Sequence, residues 1–302
     1  MAGVTRTLIT GAAGFTGRYL TSLLASRGHE VHGVVHHQPR SPIADAHTVH
    51  VGDLADHAAI ADIVDRVRPN HVVHLAAVSF VGHDDIEEMY RSNVVGTRQL
   101  LEALARSPEA PRSILLASSA NIYGNAREGV LDESLPPAPV NDYGVSKVAA
   151  EYLGQIYASR LPIITIRPFN YTGRGQSDSF LIPKIIAHAR DRAPVIELGN
   201  IDVARDFSDV RTVIRAYASL LDAPAAVGGV FNMCSERALT LREIIAMVEE
   251  ISGHRFDVRV NPAFVRANEV RTLSGSVAKL EGVIGPLDAI PLEETIRWML
   301  DA

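Results

Sequence analysis

Thr7-Leu8-Ile9-Thr10-Gly11-Ala12-Ala13-Gly14-Phe15-Thr16-Gly17 decides the fold of this chain. Apolar residues lead into Gly11 and an amphipathic stretch runs from Gly14 to Arg27, so the glycines fall at a strand-to-helix turn. There the amides of a helix N-terminus can receive a pyrophosphate. Gly11 permits the tight turn, Gly14 lets backbone approach phosphate with no Cβ in the way, and Gly17 lets the helix pack closely on the strand. Phe15 and Thr16 open that helix beside the phosphates, and Gly28 ends it before a strand at Glu30-Val35.

Working outward, apolar strands at Thr7-Thr10, Val31-Val35, Thr48-Val51, His71-Leu75 and Ser113-Ala117 alternate with helical patterns near 14–27, 56–68 and 84–106. This rhythm predicts an α/β fold with a doubly wound, parallel Rossmann-type sheet. A helix over Tyr143-Ser159 leads into a buried strand, Ile163-Arg167, stopped by Pro168. Residues 168–203 are rich in Gly, Pro and Asn, whereas 207–233 hold a helix and a strand, Gly229-Met233, able to rejoin the sheet. The expected division is therefore a dinucleotide-binding domain of 1–167 plus 204–233 and a smaller, discontinuous C-terminal substrate domain of 168–203 plus 234–302. In the latter, Thr240-Leu241-Arg242-Glu243 reads as a capping box opening a helix that Gly253 ends.

At 302 residues with 47% hydrophobic content the chain can bury a large core, and a net charge of −6 argues against a nucleic-acid partner. No apolar run reaches membrane-spanning length, and Met1-Arg6 enters the first strand directly; no membrane partner and a cytoplasmic location are expected. The single cysteine, Cys234, follows Val230-Phe231-Asn232-Met233 and reads as a core residue of a strand. No metal is expected.

Tyr143 and Lys147 stand four residues apart in a helical segment and so share one face. A nearby ammonium favours phenolate, which would bring a tyrosine toward the working range of an acid or base. Upstream, Leu115-Leu116-Ala117-Ser118-Ser119-Ala120-Asn121-Ile122-Tyr123-Gly124 leaves a buried strand with two hydroxyls at its carboxyl end, where open α/β sheets bind ligands. Together with Gly52-Asp53-Leu54, His74-Leu75-Ala76-Ala77 and Arg167-Pro168-Phe169-Asn170, these motifs resemble the extended short-chain dehydrogenase/reductases acting on nucleotide sugars, over essentially the whole chain. The resemblance implies Ser119 as catalytic hydroxyl, Tyr143 as acid/base and Lys147 as its electrostatic partner and a holder of the nicotinamide ribose. It also implies Asp53 and Leu54 beside the adenine, and Ala76, Ala77 and Pro168 along the cofactor. Asp53 has a second reading, as a cap of the helix beginning near Asp56, and Asn93 reads as a core brace.

The residues after Ser119 bear on the reaction. In a 4,6-dehydratase the resemblance assigns a carboxylate-containing pair to the positions before the Tyr-Gly dipeptide, and here these are Ala120 and Asn121, neither of which exchanges a proton at neutral pH. Hydride delivery to C4 needs only Ser119, Tyr143 and Lys147. The second strand ends Val34-Val35-His36-His37-Gln38-Pro39-Arg40, with no acid to grip a ribose 2′-hydroxyl; Arg40 and His37 suit a 2′-phosphate, so NADP(H) is preferred and NAD(H) remains possible.

Downstream, Gly173-x-Gly175-Gln176, Asp178-Ser179-Phe180, Leu198-Gly199-Asn200, Arg205-Asp206-Phe207 and Val265-Arg266-x-x-Glu269 resemble the GDP-mannose branch of these enzymes. The resemblance implies Arg205 and Arg266 on the diphosphate, Asn170 and Lys184 at the nucleotide end, Glu269 on the ribose and Ser79 near the sugar. The expected substrate is a GDP-linked 6-deoxy-4-ketohexose, reduced at C4. The rival readings are a 4-epimerase that retains NAD, a dehydratase, and a non-catalytic NADP sensor. A homodimer is implied through helices 84–106 and 142–159.

Overall fold

The computed structural model describes residues 4–79, 85–125, 129–264 and 272–301. The first half runs β1 (Arg6–Thr10), α1 (Phe15–Ser26), β2 (Glu30–Val35), β3 (Thr48–Val51), α2 (His57–Val67), β4 (His71–His74), α3 (Ile86–Tyr90), α4 (Thr97–Arg106), β5 (Ser113–Ala117), β6 (Val130–Leu131) and α5 (Asp142–Tyr157). The second runs β7 (Ile163–Pro168), β8 (Asn170–Thr172), α6 (Leu181–Arg190), β9 (Val195–Leu198), β10 (Ala204–Asp209), α7 (Val210–Leu221) and β11 (Val230–Met233). It closes with β12 (Ala238–Thr240), α8 (Leu241–Ser252), β13 (Asp257–Val260), β14 (Thr272–Gly275), α9 (Ala278–Ile284) and α10 (Leu292–Leu300).

Seven strands form the large sheet in the order β11-β7-β5-β4-β1-β2-β3, every neighbouring pair parallel. Adjacent residues along a strand enter opposite cores: Leu8, Val72 and Ile114 pack with α2, α4 and α5, whereas Ile9, Val73 and Leu115 pack with α1 and α7. Burial on both faces is what makes these strands unbroken apolar runs, and each fully buried Leu or Ile contributes roughly 1.5–3 kcal/mol. Strand order reverses between β1 and β4, so a ligand crevice opens beyond their carboxyl ends. The expected doubly wound Rossmann-type sheet is the fold, with Gly229-Met233 rejoining it as β11.

A smaller sheet runs β12-β10-β14-β6, with β8 also on β10, and β9 pairs with β13. A third core, including Ile182, Ile185, Ile196, Ile244, Val248 and Ile296, lies among α6, α8 and α10. Thr240 and Glu243 make the expected capping box, and Gly253 closes α8 at φ +63°. Strand β10, assigned from sequence to the dinucleotide side, instead pairs with β8, β12 and β14. Phe207 packs against the third core, and Asp209 turns the chain back by capping α7, accepting from the Arg211 amide at 2.7 Å. The single helix expected over 84–106 is interrupted by a π-helical turn at Arg91–Gly96. Among the described residues no helix is long and apolar enough to cross a membrane.

Candidate active site

The glycine turn has the geometry a dinucleotide needs. Gly11 has φ +71°, and a Cβ there would lie 2.8 Å from the Ala76 amide nitrogen, so this position requires glycine on both counts. A Cβ on Gly17 would overlap the Gly11 carbonyl, the close helix-on-strand packing read from the sequence. Gly14 N-caps α1 with no side-chain cap and donates its amide to Gly11 O at 2.9 Å. The N-terminus of α1 therefore presents backbone with no Cβ or capping side chain in front of it. Phe15 stacks on Tyr171 with ring centroids 6.1 Å apart, and Thr16 Oγ1 lies 2.8 Å from the Tyr171 hydroxyl, so the phosphate end of α1 is braced by β8.

Beyond the end of β2, His37 is exposed and stacked on His36 with centroids 4.0 Å apart, and Arg40 is exposed. A residue missed by sequence reasoning stands beside them: Arg18, next after Gly17, donates to Ala13 O at 3.0 Å and Pro42 O at 2.9 Å and reaches Ser41. It pins the loop carrying Arg40 to α1. Asp53 does not cap α2, which Asp56 does; Asp53 accepts from the Ala55 amide at 2.9 Å and pairs with Arg91 at 2.6 Å, bonds that hold its carboxyl below the usual range. Leu54 is buried against Gly96, while Ala76 and Ala77 are partly exposed at the end of β4 and Pro168 at the end of β7.

The floor of the crevice is a buried polar chain whose protons can be assigned. Thr97 donates to Asn93 O at 2.6 Å, so it accepts from His74 Nε2 at 2.8 Å. His74 Nδ1 then accepts from Thr10 Oγ1 at 2.7 Å, and Thr10 accepts in turn from the Ala76 amide at 3.2 Å. Full burial and the Lys147 charge push His74 down to about 3, which keeps the ring neutral as this pattern requires. Asn93, on the π-helical turn, binds both backbone groups of Val78 at 2.8 and 3.1 Å and donates to Ser146 Oγ at 3.0 Å. It is a brace, as read from the sequence, tying the loop after β4 to the helix that carries Tyr143 and Lys147.

Ser119 lies two residues beyond β5 and caps a single 3₁₀ turn, Ala120–Tyr123. Its Oγ accepts from the Asn121 amide and from Asn121 Nδ2, both at 3.1 Å, and the serine acts to lower the pKa of the Tyr143 phenol nearby. With both lone pairs engaged, the Ser119 hydroxyl is left to act as a donor. Tyr143 is pushed up to about 12 by burial, with Ser119 opposing and Tyr171 adding to the rise. The expected lowering of this phenol by Lys147 is not what the structure gives: Nζ lies 5.9 Å from the ring centroid, and burial is the largest influence on the phenol. Lys147 itself donates to Ala117 O at 2.9 Å and is pushed down to about 8 by burial, against the pull of Glu151. Glu151 is in turn held by Arg167 through two bonds at 2.9 and 2.8 Å, and Arg167 also donates to the Tyr123 hydroxyl at 2.9 Å.

Of the residues expected on the substrate side, Asn170 stands opposite Phe207, two residues from Arg205 along β10, and donates to Asp206 O at 3.2 Å. Arg205 is partly exposed and donates to Ala204 O at 2.8 Å. Lys184, on α6, donates to Glu197 O at 2.8 Å and lies 4.8 Å from the Phe264 ring centroid. Ser79 is exposed beyond β4. The expected site residues Arg266 and Glu269 lie outside the described residues. Cys234 is buried and its thiol pushed up by burial, consistent with a core residue.

A parallel sheet with its switch point between β1 and β4, a glycine-lined helix N-terminus and a Ser-Tyr-Lys set define an NAD(P)-dependent oxidoreductase of the short-chain type. The chain belongs to the NAD dependent epimerase/dehydratase family, whose model matches residues 7–234. It is 33% identical to a GDP-6-deoxy-D-mannose reductase of Pseudomonas aeruginosa over 98% of this chain and 96% of that protein. It is 31% identical to a GDP-6-deoxy-D-talose 4-dehydrogenase of Aggregatibacter actinomycetemcomitans over 92% and 90%. Among solved structures, that of RMD from Pseudomonas aeruginosa complexed with NADPH superposes with a TM-score of 0.84 at 32% identity, covering 99% of this chain and 97% of that one.

Proposed function

We propose that this chain reduces the C4 ketone of a GDP-linked 4-keto-6-deoxyhexose with NADPH, giving GDP-D-rhamnose or a close relative. The observation that carries the reading is a Ser119 whose lone pairs are both taken by Asn121, so that it is left to donate, together with a buried Tyr143 that keeps its proton. That is the state a proton donor to a ketone oxygen must have before reaction. Ala120 and Asn121 offer no carboxylic acid for elimination, and the reductase and the 4-dehydrogenase named above both act on GDP-6-deoxyhexoses by their names.

The cradle fits the cofactor: Gly11, Gly14 and Gly17 leave room for pyrophosphate, and the end of β2 carries His37 and Arg40 rather than an acid. In this reading Phe15, Thr16, Asp53, Leu54, Ala76, Ala77 and Pro168 line it, and Arg18 joins Arg40 at the 2′-phosphate. Bound NADPH supplies a hydride to C4. Tyr143 gives its proton to the C4 oxygen, and Ser119 donates to the Tyr143 oxygen that is left, stabilising the phenolate as it forms. Lys147, held at Ala117 O, places an ammonium beside the same group. Asn170, Lys184, Arg205, Arg266, Glu269 and Ser79 are assigned to the nucleotide sugar.

The proposed assembly is a cytoplasmic homodimer through the α3–α4 and α5 faces, on which Val95, Val145, Tyr152 and Ile156 are exposed. Product analysis tests the function. NADPH mixed with GDP-4-keto-6-deoxy-mannose is expected to be consumed one for one with formation of a GDP-6-deoxyhexose. Failure to consume it, together with C4 epimerisation of a nucleotide hexose on catalytic NAD, would overturn the proposal.

A further inference from the structure

At the start of β2, three side chains from different points of the chain converge on a spot apart from the nucleotide crevice. Glu30 Oε1 lies 2.9 Å from His32 Nε2 and 3.5 Å from His47 Nε2, and the three atoms all lie within 4.8 Å of one another. Local backbone fixes the arrangement. Glu30 and His32 are two apart on one strand and so share a face, and the His47 amide donates to Val31 O at 2.8 Å as the chain enters β3. The other nitrogen of His32 is also engaged, Nδ1 lying 3.2 Å from His50 Nε2, with the two rings stacked at 5.5 Å.

We propose that Glu30, His32 and His47 form a binding site for a divalent cation of the zinc type. Two imidazoles and one carboxylate are the ligand types zinc takes, and a tetrahedral ion with bonds of about 2.0–2.1 Å separates its ligand atoms by about 3.4 Å. The His47–Glu30 spacing already has that value, and an ion would take the place of the proton shared by His32 and Glu30. His50 supplies the partner that fixes the remaining nitrogen of a ligating imidazole. His47 has a side-chain exposure of 56%, so the ion has an entry path and a fourth position for water. Arg6, opposite Glu30 in the β1–β2 register, faces His32 and opposes the cation; the Glu30 carboxylate offsets that charge. The site would tie the end of the loop that begins with His36 and His37 to strand β2.

The test is calorimetric titration of the untagged protein with Zn²⁺ alone, alongside His47→Ala and His36→Ala. His47→Ala alters an exposed side chain, and a melting temperature in EDTA equal to wild type shows that the variant is folded. The expected result is one equivalent bound by wild type and by His36→Ala, at least about tenfold weaker binding by His47→Ala, and a Zn²⁺-dependent rise in melting temperature absent from that variant. No stoichiometric binding by wild type would overturn the proposal. So would binding that survives His47→Ala, or that is lost in His36→Ala and so belongs to the stacked His36–His37 pair.

Discussion

Replacing Asn121 with Asp keeps the shape of the side chain and inverts its hydrogen bonding, which tests whether the direction of the Ser119 proton matters. In the wild-type site two donors from Asn121 sit 3.1 Å from Ser119 Oγ and leave the serine to donate, in the proposed mechanism toward Tyr143. Asn121→Ala removes only the amide donor, an interaction worth about 1 kcal/mol, and the backbone donor stays, so kcat should fall about fivefold. Asn121→Asp puts an acceptor where the donor was. A hydrogen bond to a charged group is worth about 1.5–3 kcal/mol, so the serine proton should turn to the carboxylate and Tyr143 lose its partner as it gives up its proton. A loss of about 10²-fold in kcat follows, with KM for the keto-sugar little changed and partial recovery as the new carboxyl is protonated. The assay is single-turnover NADPH oxidation with the keto-sugar saturating, followed across pH. An Asp variant as active as the Ala variant would refute the argument, because it would show that the orientation of Ser119 does not limit proton delivery.

Tyr143→Phe should lower kcat by at least about 10²-fold while the dissociation constant for NADPH, measured by fluorescence titration, changes little. Lys147 has its pKa lowered to about 8, so it is charged below that pH and neutral above it, while Tyr143 at about 12 stays protonated throughout. NADPH affinity and rate should therefore both decline as pH rises through about 8, and a rate that climbs instead would return the phenolate role to Tyr143. Arg40→Ala should narrow the preference for NADPH over NADH by about fivefold, and adding Arg18→Ala should narrow it further, since exposed guanidinium–phosphate contacts are partly screened. Equal dissociation constants for the two cofactors in the wild-type protein would dispose of that assignment.

What the sequence made legible was local. The turn at Gly11 is written in adjacent residues, because positive φ and the absence of a Cβ leave few alternatives, and the capping box at Thr240 and Glu243 spans only three positions. The alternation of Leu8 with Ile9 and Val72 with Val73 across two cores is likewise a consequence of strand period. Where the reading failed, the deciding partner was far away in the chain. Strand β10 joins the small sheet because β8, β12 and β14 are there to pair with it, which no property of residues 204–209 announces. Arg18 looks like any helix-surface arginine until the loop at Ser41 and Pro42 folds over it. Glu30, His32 and His47 lack the short spacing of a familiar metal motif, since a sheet edge brings the third residue in from the next strand.

The same contrast explains the pKa of Tyr143. Spacing four residues apart places a lysine near a tyrosine and suggests a lowered phenol, but it says nothing of how deeply the pair is buried. Here burial pushes the phenol up and the ammonium down, so each moves toward its neutral form. The structure limits the second shift with Glu151, one turn beyond Lys147, and Arg167 binds both oxygens of Glu151. Removing one partner of such a pair typically costs 3–5 kcal/mol, which makes it a rigid support. A lysine charge that survives near neutral pH and a phenol that keeps its proton are together what reduction requires, whereas abstraction of a hydroxyl proton would need the phenol well below 12. The buried charges behind α5 thus set the starting protonation of the Tyr143–Lys147 pair, a property that only the folded chain displays.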